Sequence, residues 1–157
     1  MKKILFIIIV AAFFSFTGCA KFCKTEAVPD AKKQHGMLSW YELMTTDVEG
    51  AKEFYKKLFG WSFKENNSTG MPYTIGKIKG KAECGIFKKP EQLKNIPSCW
   101  GIYITVDNVD ETAELAKKLG ASILREPEDI PNIGRFSVIQ DPQGAVIHLF
   151  TYSCSSK

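Results

Sequence analysis

Side chains able to do chemistry are few in this chain and widely scattered. Its two histidines, His35 and His148, stand more than a hundred positions apart, and none of its five cysteines has a histidine at a motif spacing. Cys19, Cys23, Cys84, Cys99 and Cys154 match no metal-ligand pattern, and a Cys84–Cys99 bridge is one pairing among several that the spacing leaves open. No serine lies in a Gly-x-Ser-x-Gly elbow, while Gly76 and Gly80 fit a strand end and a turn rather than a phosphate loop. The carboxyl pair Glu128-Asp129 precedes Ile130-Pro131 and reads as a solvated loop rather than an acid–base pair. Arg135, beside Gly134, is the cation placed to reach an anionic ligand, against the plainer reading of a surface salt bridge.

The elements that must position these side chains come in two copies. Trp40-Tyr41-Glu42-Leu43, Asp47-Val48-Glu49 and Glu53-Phe54-Tyr55-Lys56-Lys57-Leu58 lead to Gly60. Gly101 to Ile104, Asn108-Val109-Asp110 and Glu114-Leu115-Ala116-Lys117-Lys118-Leu119 lead to Gly120 in the same order. A unit this short cannot bury its apolar face alone, so two copies must share a core. The first unit begins with an aromatic-rich strand, Leu38 to Met44. A helix follows, with a capping box from Thr46 to Glu49, an apolar face of Val48, Ala51, Phe54, Tyr55 and Leu58, and a left-handed stop at Gly60. Three strands near 61–64, 73–79 and 82–87 complete it, and the proline-bounded Lys88 to Pro97 links it to the second unit. That unit has a strand over 100–106, a helix from Asn108 to Gly120, and strands near 122–126, 135–140 and 145–151. Asp141-Pro142-Gln143-Gly144 is a type I turn joining the last two strands. The expectation is an α+β fold of two βαβββ modules, about 37–87 and 98–152, with Val48, Phe54, Leu58, Val109, Leu115 and Leu119 buried beneath the helices.

Residues 1–18 read as a leader. Lys2-Lys3 precede the apolar run Ile4 to Phe14, too short to span a bilayer, and Phe16-Thr17-Gly18-Cys19 resembles a bacterial lipobox with Cys19 as the lipidated residue. Ala20 after that cysteine points to the outer membrane. Residues 19–35 are polar, carry Pro29 and read as a tether to a domain over 36–157, with His35 solvated at its end. Without the leader the net charge falls from +4 to +2, with lysines scattered among acids, which is not a nucleic-acid footprint.

The paired modules, the Phe54 to Trp61 run, Gly134-Arg135-Phe136 and the Asp141 to Gly144 hairpin together resemble the vicinal oxygen chelate superfamily, which includes glyoxalase I, extradiol dioxygenases, fosfomycin-modifying enzymes and bleomycin-resistance proteins. The resemblance covers about Gly36 to Tyr152. It implies a curved half-barrel sheet with the helices outside and, in metal-using members, one ligand from the first and last strand of each module. In this chain that register implies Trp40, a position near Gly85 with Cys84 one residue away, Gly101 and His148. Indole and glycine cannot ligate a divalent ion, so one competent ligand remains. Glu42 is two residues from Trp40 and shares its strand face, so it could point into the same cleft.

The resulting expectation is a lipid-anchored envelope domain that binds a small aromatic or planar molecule through Trp40, Glu42, Tyr103 and His148. It uses no metal or cofactor, and His148 changes charge near neutral pH. Trp100 and Tyr41 stand close by in sequence and would add to an aromatic wall. Two alternatives stay open: a metal-dependent lyase, transferase or dioxygenase with an atypical ligand set centred on His148 and Glu42, and an envelope protein-interaction domain. A homodimer is compatible with any of them.

Overall fold

The computed structural model describes residues 30–66 and 71–153. Eight strands form one sheet: β1 (Leu38–Thr45), β2 (Ser62–Asn66), β3 (Tyr73–Ile78), β4 (Lys81–Lys88), β5 (Cys99–Thr105), β6 (Ser122–Ile130), β7 (Gly134–Gln140) and β8 (Val146–Tyr152). Two helices complete the modules, α1 (Val48–Phe59) and α2 (Val109–Lys118). Each module closes by pairing its first strand in parallel with its last, β1 with β4 and β5 with β8, while β1 and β5 pair antiparallel and join the two halves.

The half-barrel expected from the resemblance is not what forms. The strand order is β2-β3-β4-β1-β5-β8-β7-β6, a single open sheet with β2 and β6 at its ends. Joining the modules through their first strands sends the two outer strands away from each other. Both outer strands are blunted against further pairing: β2 reads Ser-Phe-Lys-Glu-Asn, and β6 carries Pro127 within an irregular stretch between Arg125 and Glu128.

Helix boundaries follow local chemistry. Asp47, rather than Thr46, caps α1 by accepting from the Gly50 N–H at 2.9 Å, and Gly60 ends it at φ 70°. Asn108 caps α2 by accepting from the N–H groups of Asp110 and Glu111. The turn before β8 forms as expected, with the Gly144 N–H donating to the Asp141 carbonyl at 3.0 Å.

The two helices differ in how they meet the sheet. Val109, Ala113 and Ala116 of α2 are buried in a core with Val106, Ile139 and Leu149. No side chain of α1 is buried, and Phe54, Leu58, Leu115 and Leu119 are 56, 55, 53 and 69% exposed, so four of the six residues expected inside lie outside. Aligning Val48 with Val109 gives the physical reason, because Lys52 and Tyr55 then stand where α2 has Ala113 and Ala116. Alanine lets a helix settle close on a sheet. Lys52 instead reaches Glu49 and Glu65, both at 2.8 Å, and Tyr55 presents a ring, so α1 is held off.

The stretch read as tether is held against the domain from its last turn. Thr105 donates to the Lys32 carbonyl at 2.6 Å, Lys32 pairs with Glu83, and the Gly36 N–H donates to the Thr105 carbonyl at 2.8 Å. Cys19, with the leader, lies outside the described residues. Among those described, no helix is long and apolar enough to cross a membrane. The linker between modules also contributes to the core, since Leu93 and Ile96 pack with Met44 and Phe87.

Candidate functional site

Strand alternation and register decide which side chains meet. Trp40 lies opposite Tyr103, Tyr103 opposite His148, and Glu42 opposite both Gly85 on β4 and Gly101 on β5. These residues therefore share the sheet face turned away from the helices. Leu43, Leu149 and the α2 core occupy the other face.

The centre of this face is a row across three strands, Gly85, Glu42 and Gly101. Each glycine leaves a space that an aromatic ring fills. A Cβ on Gly101 would lie 2.6 Å from His148 Cε1, so the imidazole rests on the bare backbone there. A Cβ on Gly85 would collide with the Tyr73 hydroxyl. The carboxyl between them accepts from Tyr73 at 2.7 Å and from Tyr103 at 2.8 Å, and the Trp40 indole N–H donates to the Tyr73 hydroxyl at 3.0 Å. Trp40, Tyr73, Glu42 and Tyr103 thus form one hydrogen-bonded chain, with His148 packed on Tyr103 at 4.4 Å between ring centres.

Burial sets the electrostatics. Loss of solvent raises the Glu42 carboxyl above its ordinary range, opposed by the two tyrosine hydrogen bonds. Burial and the neighbouring carboxyl push both tyrosines well above the usual phenol value. Burial lowers His148 to about 4. The imidazole is therefore neutral across physiological pH, which corrects the expectation of a charge change near neutrality. It is 1% exposed, and neither ring nitrogen has a hydrogen-bond partner among the described residues.

Other sequence candidates lie elsewhere. Trp100 faces the helices, where its indole N–H donates to the Tyr55 hydroxyl at 2.9 Å, and Tyr41 shares that face. Arg135 is a salt-bridge residue, bidentate to Asp110 and bonded to Asp129 at 2.9 Å. Glu128 and Asp129 belong to β6 and pair with Arg125 and Arg135. His35 pairs with Asp107 at 3.2 Å on the surface, and Cys84 and Cys99 are both free thiols.

Two residues of the site face were missed. Tyr73 opens β3, and only its register opposite Phe87 brings its hydroxyl to Glu42. Arg125 is opposite Val138, which is opposite His148, and its guanidinium lies 4.8 Å from the Phe136 ring centre. Long-range pairing, not local spacing, places both. Among the described residues no three His, Cys, Asp or Glu side chains are gathered as a metal ligand set. Two open surface grooves, of about 370 Å³ beside α1 and about 410 Å³ beside Arg135, do not include the Glu42 cluster.

Residues 37–149 match the family model of the Glyoxalase/Bleomycin resistance protein/Dioxygenase superfamily. A protein of Mycobacterium tuberculosis named "Putative glyoxylase CFP32" is 38% identical over 112 residues, covering 71% of this chain and 42% of that protein. An anthracycline biosynthesis protein of Streptomyces peucetius is 27% identical over 123 residues, covering 70% and 45%. The chain thus spans less than half the length of these curated relatives. Methylmalonyl-CoA epimerase from Mycobacterium tuberculosis shares the fold at a TM-score of 0.57 and 18% identity, over 76% of this chain and 89% of that one. A hypothetical protein from Bacillus halodurans does so at 0.60 and 12%, over 79% and 99%.

Proposed function

This chain belongs to the Glyoxalase/Bleomycin resistance protein/Dioxygenase superfamily, and we propose that it binds a small planar organic molecule, without a metal ion, on the sheet face that carries Trp40, Glu42, Tyr103 and His148. The observation that carries this reading is the His148 imidazole, buried with neither nitrogen partnered among the described residues. Each unpaired buried polar group costs about 1–3 kcal/mol, which a ligand offering one donor and one acceptor would recover. Trp40 and Tyr73, both half-buried, are the members of the cluster nearest solvent, and entry past the indole would bring a planar ligand between aromatic walls. Binding rather than catalysis is the reading favoured here. A metal-dependent lyase, transferase or dioxygenase would need a third ligand beside Glu42 and His148, and Glu42 already accepts from two tyrosines.

The test is thermal unfolding of the full chain in detergent with methylmalonyl-CoA, an anthracycline and bleomycin, probes suggested by the names of the family and of its relatives, each with and without EDTA. At least one should raise the midpoint as its concentration rises, equally with EDTA, and the rise should vanish in His148→Ala. No shift with any probe, or a shift that needs added divalent ion, would count against the reading.

The place of action proposed is the bacterial envelope, with acyl chains on Cys19 holding the domain at a membrane, the outer membrane on the evidence of Ala20. Cys19→Ser should move the protein out of the membrane fraction or leave its leader uncleaved. A variant that remains anchored and processed would remove this part of the proposal.

A further inference from the structure

Space remains where α1 is held off the sheet, and the proposed function does not use it. Lys52 and Tyr55 keep the helix away, while Gly50 and Ala51 beside the gap are too small to fill it. The result is the groove of about 370 Å³ between the first turns of α1 and the strands β1 and β5, a volume within the usual range for small-molecule sites. It lies on the helix side of the sheet and shares no residue with the Glu42 cluster. Phe54, Tyr55 and Trp100 form its aromatic walls. The planes of Phe54 and Tyr55 meet at 81° with centres 5.1 Å apart, and those of Tyr55 and Trp100 at 71° with centres 5.4 Å apart, so the rings line a corner rather than a flat patch. The Trp100–Tyr55 hydrogen bond fixes two of them in place.

The polar groups of the groove are unequal. The Thr45 hydroxyl accepts from the Asp47 N–H at 3.2 Å and from the Ser98 hydroxyl at 3.5 Å, so these two hydroxyls are already engaged. Asp47 uses one carboxylate oxygen, Oδ1, to cap α1. Its other oxygen rests over the bare Gly50 backbone, where a Cβ would collide with it. Among the described residues Asp47 is the one carboxylate that lines the groove, and no lysine, arginine or histidine does. Lys52, next along the helix, is turned to Glu49 and Glu65. The groove is therefore a set of aromatic walls with one uncompensated negative charge.

We propose that this groove is a second binding site, for a methylated ammonium group held between Phe54, Tyr55 and Trp100 and neutralised by Asp47. Aromatic faces are negative and attract a cation that lies within about 6 Å of the ring centre. The chemistry of the walls selects among cations. A metal ion would find one carboxylate where it needs several oxygen ligands. A primary ammonium would bring three N–H donors to a groove whose hydroxyls are engaged, and would lose its water without replacement. A methylated ammonium has few or no donors to satisfy, and its methyl groups suit the rings. Free choline and the headgroup of phosphatidylcholine both carry this group.

Calorimetric titration of the full chain in a maltoside detergent tests the proposal, with choline and its uncharged isostere 3,3-dimethyl-1-butanol as probes. Choline should bind at least about ten-fold more tightly than the alcohol. Asp47→Asn removes the charge and keeps a good helix cap, while Phe54→Leu removes a ring at an exposed position, so neither should unfold the protein. Each should weaken choline at least about three-fold. His148→Ala should leave choline binding as it is, which keeps this site separate from the Glu42 cluster. Sedimentation of the Cys19→Ser protein with phosphatidylcholine vesicles, reduced in Asp47→Asn, would identify a lipid headgroup as the source of the ligand; choline binding without sedimentation would identify a free solute. Equal binding of choline and the alcohol, an affinity for choline unchanged in both Asp47→Asn and Phe54→Leu, or loss of choline binding in His148→Ala would overturn the proposal.

Discussion

Gly85→Ala should be among the most damaging single-methyl additions available in this protein. Gly85 is not among the positive-φ glycines, so alanine can adopt its backbone and any cost arises from space. The new Cβ would collide with the Tyr73 hydroxyl and lie 2.7 Å from its ring Cε1, and the ring must swing away. That movement breaks the hydrogen bond to Glu42 and removes the acceptor of the Trp40 indole. Overpacking costs about 1–3 kcal/mol, and losing a hydrogen bond to a buried ionisable group adds about 1.5–3. The gain from a stiffer unfolded chain returns about 0.4–1 kcal/mol. The net expectation is a loss of about 2–5 kcal/mol, or roughly 10 °C in melting temperature for a domain of this size. Denaturant unfolding of Gly85→Ala, Tyr73→Ala and the double variant measures it as a cycle. With the ring gone the extra methyl should cost almost nothing, leaving a coupling of about 2 kcal/mol or more. A loss below about 0.5 kcal/mol in Gly85→Ala, or additivity in the cycle, would refute the packing argument.

Further expectations concern protons and packing. Because burial lowers His148 from 6.5 to about 4, the unfolded chain binds the extra proton between those values. Stability should therefore be full above pH 6.5 and fall by about 3 kcal/mol as pH drops through 4, a dependence that urea titrations of His148→Leu should lack. Glu42 has the opposite sign: its raised value favours the native state below pH 4.5, and that contribution is lost as pH rises, so Glu42→Gln should flatten the alkaline side of the same profile. Ala113→Lys gives α2 the residue that α1 has and forces a cation into the Val109–Leu149 core, which should cost at least about 3 kcal/mol in equilibrium unfolding. The reverse change, Lys52→Ala, touches no core and should shift the midpoint only slightly.

Much of the secondary structure was legible because its signals are local. Gly60, Asn108 and the Asp141–Gly144 turn each act within a few residues, and all three behave as their types require. The apolar stripe of α1 was legible too, but a stripe says nothing about what covers it. Whether Phe54 meets a sheet depends on Lys52 and Tyr55, whose bulk matters only once α1 is laid beside α2. The common face of Trp40, Glu42, Tyr103 and His148 followed from alternation within strands and module symmetry. Tyr73 and Arg125 did not, because β3 and β6 reach the site only through their partners' register. The open sheet was likewise unreadable, since pairing of β1 with β5 is a contact between residues about sixty positions apart. The depressed value of His148 needs the depth of burial, which no strand pattern supplies.

The parallel pairing of β1 with β4 and its antiparallel pairing with β5 have a consequence for how the chain acquires its shape during synthesis. The first of the described strands to be made occupies the middle of the finished sheet, yet both of its neighbours are made later, β4 some forty residues on and β5 after that. Until they arrive, Ser39 to Thr45 present two rows of unpaired peptide groups, and the apolar side chains among them have no cover. Such distant pairings must wait for loop closure, which slows folding and prolongs exposure to aggregation. A nascent chain stopped before Cys99 would lack half of the central pairing, so it should depend on a holding chaperone far more than a chain released after Tyr152.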